Sequence, residues 1–276
     1  MLTHSFTHLG KLGRKLERQK NSRGLITWED VLSWEPEKGD KFAAALKDAA
    51  ALSAANLSLR DFGFFSKELP SNETWKLFPY FREKVCYLDI ETTGMSKQYD
   101  YTTVATIYDG ENVMVFTHGQ NMSDLPAVLE RYSICVTYNG KCFDVPFLER
   151  EFNCHFNLVH IDLMYVFRRL GYKGGLKKLE KVFGIDRGEW ADLNGYAAVL
   201  LWQWHLRGTK GALDTLTAYN ILDAVNLEKL MCLAYNLEAK TEGFPELGCL
   251  DEPSLPEIPF NPDEQIIARA IRQSAF

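Results

Sequence analysis

The chain has no long hydrophobic run, no CxxC pair and no excess of positive charge. Each absence removes a class of protein. The longest apolar stretches fall far short of the roughly 20 residues that a membrane helix needs, so no membrane association is expected. The opening "MLTHSFTHLGKLGRK" lacks the apolar core of a signal peptide. Six cysteines stand scattered at Cys86, Cys135, Cys142, Cys154, Cys232 and Cys249. Cys86 and Cys135 lie in apolar runs, where a free cysteine behaves as a small hydrophobe, so a reducing, cytoplasmic setting is expected. No His/Cys cluster suggests zinc. A formal net charge of −6 argues against a protein that coats nucleic acid by bulk charge, so any such site must be local. No internal repeat is evident.

What is present is an ordinary globular composition: 276 residues, 46% hydrophobic and 13% aromatic, enough for one large domain or two small ones. Residues 1–24 carry six cations, Lys11, Arg14, Lys15, Arg18, Lys20 and Arg23, against Glu17 alone, a local charge of +5. "DKFAAALKDAAALSAANL" (Asp40–Leu57) is a helix by propensity. The following "LRDFGFFSKELPSNETWKLFPYFREK" mixes turn residues with aromatics and reads as a linker or clasp lying on the next domain.

From Val85 the pattern changes. "VCYLDI", "TTVATIYDG" and "ENVMVFTHG" are strands, the last two joined by an Asp109-Gly110 turn. "SDLPAVLERY" is helical, "SICVTYNG" a fourth strand, "VPFLEREF" a helix start and "NLVHID" a fifth strand. The rest turns mostly helical: "LMYVFRRL", "GLKKLEKVFG", "GYAAVLLWQWHLR" and "LDTLTAYNILDAVNLEKLMCLAYNLEA". This order describes an α/β protein with a mixed sheet and helices packed on it. The closing "TEGFPELGCLDEPSLPEIPFNPDEQ" is Pro-rich and acidic, which predicts an extended or poorly ordered tail. The expected partition is 1–35, 36–74, 75–236 and 237–276.

The stretch "CYLDIETTG" contradicts its own setting. Asp89 and Glu91 stand two apart in a buried-type strand and so share a face. Two desolvated carboxylates repel, and one pKa rises unless a cation neutralises them. Asp144, in "TYNGKCFDVPFLE", reads equally as a helix cap. Asp223, in "AYNILDAVNL", interrupts an apolar stretch of helix with Tyr219 one turn before it; alone it would read as a solvated residue. A divalent metal accounts for the set. Mg²⁺ and Mn²⁺ prefer carboxylate oxygen and keep several waters, so a few carboxylates suffice. A two-metal site of this kind suits in-line displacement at phosphorus.

"YLDIETTG", "YNGKCFDVPFLE" and "YNILDAVNL", in this order, resemble the three motifs of the DEDD (DnaQ-like) 3′–5′ exonucleases, which have a ribonuclease H-like fold. The insert "HIDLMYVFRRLGYKGGLKKLEKVFGIDR" resembles the YprB-like branch. The resemblance covers roughly Trp75 to Asn236. It implies Asp89 and Glu91 as first-motif metal ligands, with Asp89 bridging two ions. It implies Asp144 as a ligand of the second ion and Asp223 as a ligand of the first. Tyr219, four before Asp223, fills the place of the residue that orients the attacking water. Ala218 stands where a histidine would otherwise be, so the chain is of the tyrosine type. With an ordinary pKa near 10, the tyrosine positions the water rather than deprotonating it.

Thr92 and Thr93 are candidates to touch the terminal nucleotide or, equally, to make a turn. Asn139 and Lys141 are candidates for phosphate or base contact, or a turn. Lys177 and Lys178 are candidate phosphate contacts on what is by default a solvated face. Asp162 reads as a helix cap and His160 as structural. "HLGKLGRKLERQKNSRGLITWEDVL" resembles a degenerate helix-hairpin-helix element. In it Leu12 and Gly13 match while Lys11 replaces the first glycine, and Lys11, Arg14 and Lys15 could meet phosphate.

The resulting expectation is an Mg²⁺- or Mn²⁺-dependent 3′–5′ exonuclease that binds two ions and acts on single-stranded or frayed DNA or RNA 3′ ends. A catalytically silent binding module is the alternative from another class, and the presence of all four carboxylates with Tyr219 speaks against it. Internal cleavage or nucleotide hydrolysis at the same site is not separable by the carboxylates alone.

Overall fold

Val85–Thr92, the strand carrying the two carboxylates, runs through the middle of a five-stranded sheet. The computed structural model describes residues 1–260 and 262–274. Ahead of the sheet lie helices α1 (Gly10–Ser22), α2 (Trp28–Ser33), α3 (Lys41–Ser58) and α4 (Phe62–Ser66). The sheet comprises β1 (Val85–Thr92), β2 (Thr102–Tyr108), β3 (Val113–Thr117), then after α5 (Leu125–Leu129) β4 (Ile134–Thr137), and after α6 (Asp144–Phe152) β5 (Val159–Asp162). Then follow α7 (Leu163–Arg169), α8 (Leu176–Val182), α9 (Gly195–Leu206), α10 (Ala212–Thr241) and α11 (Glu264–Ser274).

The strand order is β3-β2-β1-β4-β5. β1 pairs antiparallel with β2, which pairs antiparallel with β3, while β4 runs parallel to both β1 and β5. The sheet is therefore mixed, with its first three strands connected as hairpins and the later ones through helices, as parallel pairs require.

Strand alternation decides where the charge goes. Cys86, Leu88 and Ile90 face one way, into a core shared with Leu125, Leu129, Phe147 and Leu148 from α5 and α6. Val85 and Tyr87 face the other way, into the core that holds Ile221, Leu222 and Val225 of α10. Asp89 and Glu91 continue this second face by the two-residue period and so point toward α10.

The clasp-like stretch is packed. Trp75, Leu77, Phe78 and Phe81 are fully buried in the same core as Phe6, Trp28, Tyr87 and Tyr235. Asp40 caps α3 by accepting from the backbones of Phe42 and Ala43.

Two expectations need correction. The chain beyond α10 is irregular from residue 249 to 259, as its prolines dictate, but it does not end as an extended tail. Ile266, Ile267 and Ala270 give α11 an apolar stripe, which packs with Leu201, Trp202, Leu216 and Tyr219. The irregular part is pinned too: Leu250 N donates to Asn236 Oδ1, and Asn236 Nδ2 donates to Leu250 O, each at 3.0 Å.

The second concerns the helix-hairpin-helix resemblance. Leu12 and Gly13 lie in the first turns of α1, which follows a single 3₁₀ turn (Thr7–Leu9) rather than a preceding helix. A Cβ on Gly13 would stand 1.8 Å from the Phe6 carbonyl oxygen, so this glycine is explained by close backbone approach.

Candidate active site

Three carboxylates converge where β1 meets α10. Asp89, Glu91 and Asp223 each offer one oxygen, and these oxygens lie within 4.8 Å of one another. Asp89 and Glu91 are half-buried at the end of β1, and Asp223 is 6% exposed on α10. Burial first, then repulsion from Asp223 and Asp144, pushes the carboxyls of Asp89 and Glu91 well above the usual carboxylate range. The cluster therefore holds protons or a cation. Its donors are hard oxygens at close range, a set that fits Mg²⁺ or Mn²⁺.

Asp144 is outside that group of three. It is the first residue of α6 and 6% exposed, and its side chain makes no capping hydrogen bond, so the cap reading does not apply. Burial pushes its carboxyl up to about 7, against the opposing effect of its own backbone N–H and that of Ile90. It is close enough to raise the pKa of both Asp89 and Glu91.

α10 brings in more than Asp223. Asn220 Nδ2 donates to Asp89 Oδ2 at 2.7 Å, and Asn220 Oδ1 accepts from Thr106 Oγ1 of β2 at 2.6 Å. Asp89 is thereby held in one rotamer through Oδ2. Tyr219 is 3% exposed. Burial, then the field of Asp223, pushes its phenol well above the ordinary range, so the O–H stays on.

A buried ionic chain supports Asp223 from behind. Arg187, 5% exposed, donates from Nη2 to Asp223 Oδ1 and from Nη1 to both Glu180 oxygens at 2.9 and 2.7 Å. Asn226 Nδ2 donates to Glu180 Oε1 at 2.8 Å. Burial disfavours the guanidinium charge, but Asp223 and Glu180 outweigh it and raise its pKa. Sequence reasoning missed Arg187, Glu180, Asn220 and Asn226. A signal existed for Glu180, since it sits among the apolar positions Leu176 and Leu179 of α8 and Phe183 just after it, where a carboxylate needs a partner.

The remaining candidates divide. Thr92 Oγ1 donates to Gly94 O at 2.6 Å, and Thr93 Oγ1 donates to Asp100 Oδ1 at 2.8 Å, so both hydroxyls close the loop after β1. Asn139 adopts φ +66°, and its N–H and that of Lys141 donate to Asp162 at 2.8 and 3.0 Å. Asp162 also caps α7 through Met164 N. The Lys141 side chain lines a cleft of about 320 Å³ with Trp75, Tyr165 and Arg169. His160 bonds Thr137 Oγ1 at 2.8 Å and is pushed by burial to a pKa of about 4, a neutral structural residue. Lys178 is exposed, whereas Lys177 is half-buried with its Nζ 4.9 Å from the centre of the Tyr219 ring. Lys11, Arg14, Lys15 and Arg18 line one groove of about 470 Å³ on α1, far from neutral. Lys20 and Arg23 are used internally: Lys20 pairs with Glu17 and donates to backbone carbonyls, and Arg23 pairs with Asp40.

A mixed sheet of this order, with carboxylates on the central strand and on the helix covering it, is the arrangement of the ribonuclease H-like fold. The family described as the RNase_H superfamily matches residues 86–235, more than half of the chain, and the chain belongs to it. Membership supports a nuclease with nucleic acid as its substrate and a divalent metal at the acidic cluster. Among solved structures the chain is similar to Brucella melitensis NrnC with bound Mg²⁺, at 16% identity over 70% of this chain and 84% of that one, TM-score 0.37. It is similar also to a second Brucella melitensis NrnC structure, at 14% identity over 72% and 87%, TM-score 0.37. No curated protein sequence matches the chain. Among the described residues no helix is long and apolar enough to cross a membrane.

The pKa shifts carry a stability consequence. Folding raises the Asp144 pKa from 3.8 to about 7, so the folded state holds that proton more tightly. The stability it contributes is full below pH 3.8 and is lost as pH rises through about 7. Asp89 and Glu91 shift in the same direction. In EDTA the melting temperature is expected to fall between about pH 4 and pH 7, and Mg²⁺ or Mn²⁺ to raise it most at the upper end. Differential scanning fluorimetry reads both; a flat profile in EDTA with no metal response contradicts a metal-requiring cage.

Proposed function

We propose that the protein is a divalent-metal-dependent 3′–5′ exonuclease of the tyrosine type, in the YprB-like branch of the superfamily. It would hydrolyse phosphodiester bonds at single-stranded or frayed 3′ ends. The observation that carries this reading is the convergence of Asp89, Glu91 and Asp223 within 4.8 Å at the helix that also holds Tyr219. Asp89, Glu91 and Asp223 would hold one ion, and Asp89 with Asp144 a second. Ions bound there acidify water and stabilise the attacking and leaving oxygens. The chain's own groups do the rest. Tyr219, with its proton retained, orients the water by hydrogen bond; Asn220 holds Asp89 in place, and Arg187 holds Asp223.

Three placements support nucleic acid reaching this site. The half-buried carboxylates are open to solvent, Lys141 lines a cleft with Tyr165 and Arg169, and α1 presents a basic face on an acidic protein. The α1 face would hold the phosphate backbone of longer substrates without reading sequence.

The test uses 5′-labelled single-stranded DNA and RNA with Mg²⁺, Mn²⁺ or EDTA. A ladder shortening from the 3′ end and abolished by EDTA is expected. Internal fragments from a circular substrate would replace the exonuclease reading with endonuclease cleavage, and binding without any product would favour the silent module. Salt dependence in the same assay reports on α1. It should be steeper for long substrates than for dinucleotides; equal slopes would assign α1 a structural role.

A further inference from the structure

Two cationic side chains beside Tyr219 carry nitrogens that are buried and have no hydrogen-bond partner among the described residues: Lys177 Nζ and Arg187 Nε. The ammonium lies 4.9 Å, and the guanidinium carbon 5.6 Å, from the centre of the Tyr219 ring. Arg187 commits both Nη1 hydrogens to Glu180 and one Nη2 hydrogen to Asp223, so Nε is the one guanidinium nitrogen that makes no hydrogen bond among the described residues. Burial lowers the pKa of Lys177; Asp223 and Glu91 oppose that shift through their charge, yet Lys177 hydrogen-bonds neither.

A buried ammonium without hydrogen bonds is unfavourable, because three N–H donors have left water for nothing. Contact with an aromatic face offsets only part of this. A second cation at the same ring adds repulsion, and neither Trp190, 6.3 Å from Tyr219, nor the ring itself supplies an acceptor. Such a pair is satisfied by an anion that binds beside the carboxylate cluster and accepts from Nζ and Nε, the nitrogens not used by Asp223. That anion must accept hydrogen bonds from nitrogen on one side and coordinate cations held by carboxylates on the other. A phosphodiester, with two charged non-bridging oxygens, meets both demands.

We infer that Lys177 Nζ and Arg187 Nε form an anion subsite for the scissile phosphate on the Tyr219 side of the carboxylates, with Lys177 acting as a catalytic residue. The inference rests on the nuclease reading above. Water oxygen bonds to phosphorus as the bond from phosphorus to the neighbouring nucleotide's 3′ oxygen breaks. One water proton passes to solvent, and the leaving oxygen takes one from solvent, releasing a nucleoside 5′-monophosphate. Charge grows on the non-bridging oxygens during this exchange, and the Lys177 ammonium donates to one of them without giving up its proton.

The test compares full-length wild type, Lys177→Met, Lys177→Arg and Arg187→Lys. Calorimetry measures Mn²⁺ alone and then a nucleoside 5′-monophosphate in saturating Mn²⁺. Lys177→Met is expected to weaken nucleotide binding by roughly 10- to 100-fold, the worth of one charged hydrogen bond, and to lower kcat by about 100-fold. Its Mn²⁺ affinity should stay within about threefold and its melting temperature should not fall, since an unsatisfied buried charge is removed. Lys177→Arg should recover part of both losses. Arg187→Lys, which keeps a cation without the Nε–H, should lose nucleotide affinity in the same way; unchanged affinity would remove Arg187 from the subsite.

Nucleotide affinity and kcat of Lys177→Met within about twofold of wild type would overturn the inference. So would a parallel loss of Mn²⁺ affinity, which would place Lys177 with the carboxylates instead. A wild type that degrades no polynucleotide yet binds nucleotide through Lys177 would sink the exonuclease reading and leave the subsite standing. A wild type that does neither would sink both.

Discussion

Asp89→Ala is expected to lower nucleic-acid hydrolysis by at least about a thousandfold, since metal-based charge stabilisation is worth several kcal/mol at 1.36 kcal/mol per decade. The substitution removes one of the three converging carboxylates, the one whose Oδ2 is held by Asn220 and through it by Thr106. The fold should survive. One amide donor of Asn220 loses its acceptor, at a cost of about 1–3 kcal/mol, but repulsion among Asp89, Glu91, Asp144 and Asp223 is relieved. The melting temperature in EDTA should therefore change little, while the rise produced by Mg²⁺ or Mn²⁺ should shrink or vanish. Single-turnover rates with labelled oligonucleotides and melting curves with and without metal measure the two effects separately. A variant that keeps wild-type rate and wild-type metal response would remove Asp89 from the site.

The second large effect is on stability. Arg187→Met should destabilise the protein by about 3–5 kcal/mol, the usual consequence of removing one partner from a buried ion pair. Glu180 is 0% exposed and would keep only Asn226 as a partner, while Asp223 would lose its cation. The melting temperature should fall by on the order of 10 °C. Adding Glu180→Gln to the same chain should recover part of the loss, because the stranded buried charge disappears even though the ion pair is not restored. Urea unfolding of wild type, single and double variants resolves this. A single variant within about 0.5 kcal/mol of wild type would mean that the chain from Asn226 to Asp223 does not support the site.

The sheet was legible because each strand announces itself locally. The five stretches from "VCYLDI" to "NLVHID" alternate or run apolar between turn residues, and each forms a strand. The pairing of Asp89 with Glu91 was legible for the same reason, since a two-residue period is a property of any strand. α11 was not, because its value lies in what it covers: Ile266, Ile267 and Ala270 have meaning only against Trp202, Leu216 and Tyr219, far away in sequence. The hydroxyls of Thr92 and Thr93 could not be assigned from sequence either. Their fate depends on where Asp100 and the Gly94 carbonyl return in space.

The sequence by itself determined the element order, the shared face of Asp89 and Glu91, the one-turn spacing of Tyr219 and Asp223, and through its three motifs the ribonuclease H-like fold. These are short-range facts, set by backbone periods of two and 3.6 residues. Tertiary structure alone decided that Asp89, Glu91 and Asp223 meet within 4.8 Å while Asp144 stands apart from that group. It alone decided that Arg187 and Glu180 brace Asp223, and that the Lys177 ammonium comes to rest over Tyr219 with no hydrogen-bond partner among the described residues. Such contacts join residues far apart in the chain: Asn220 and Asp89, which hydrogen-bond, are 131 positions apart. Burial and charge can be weighed against each other only once the chain has closed around them.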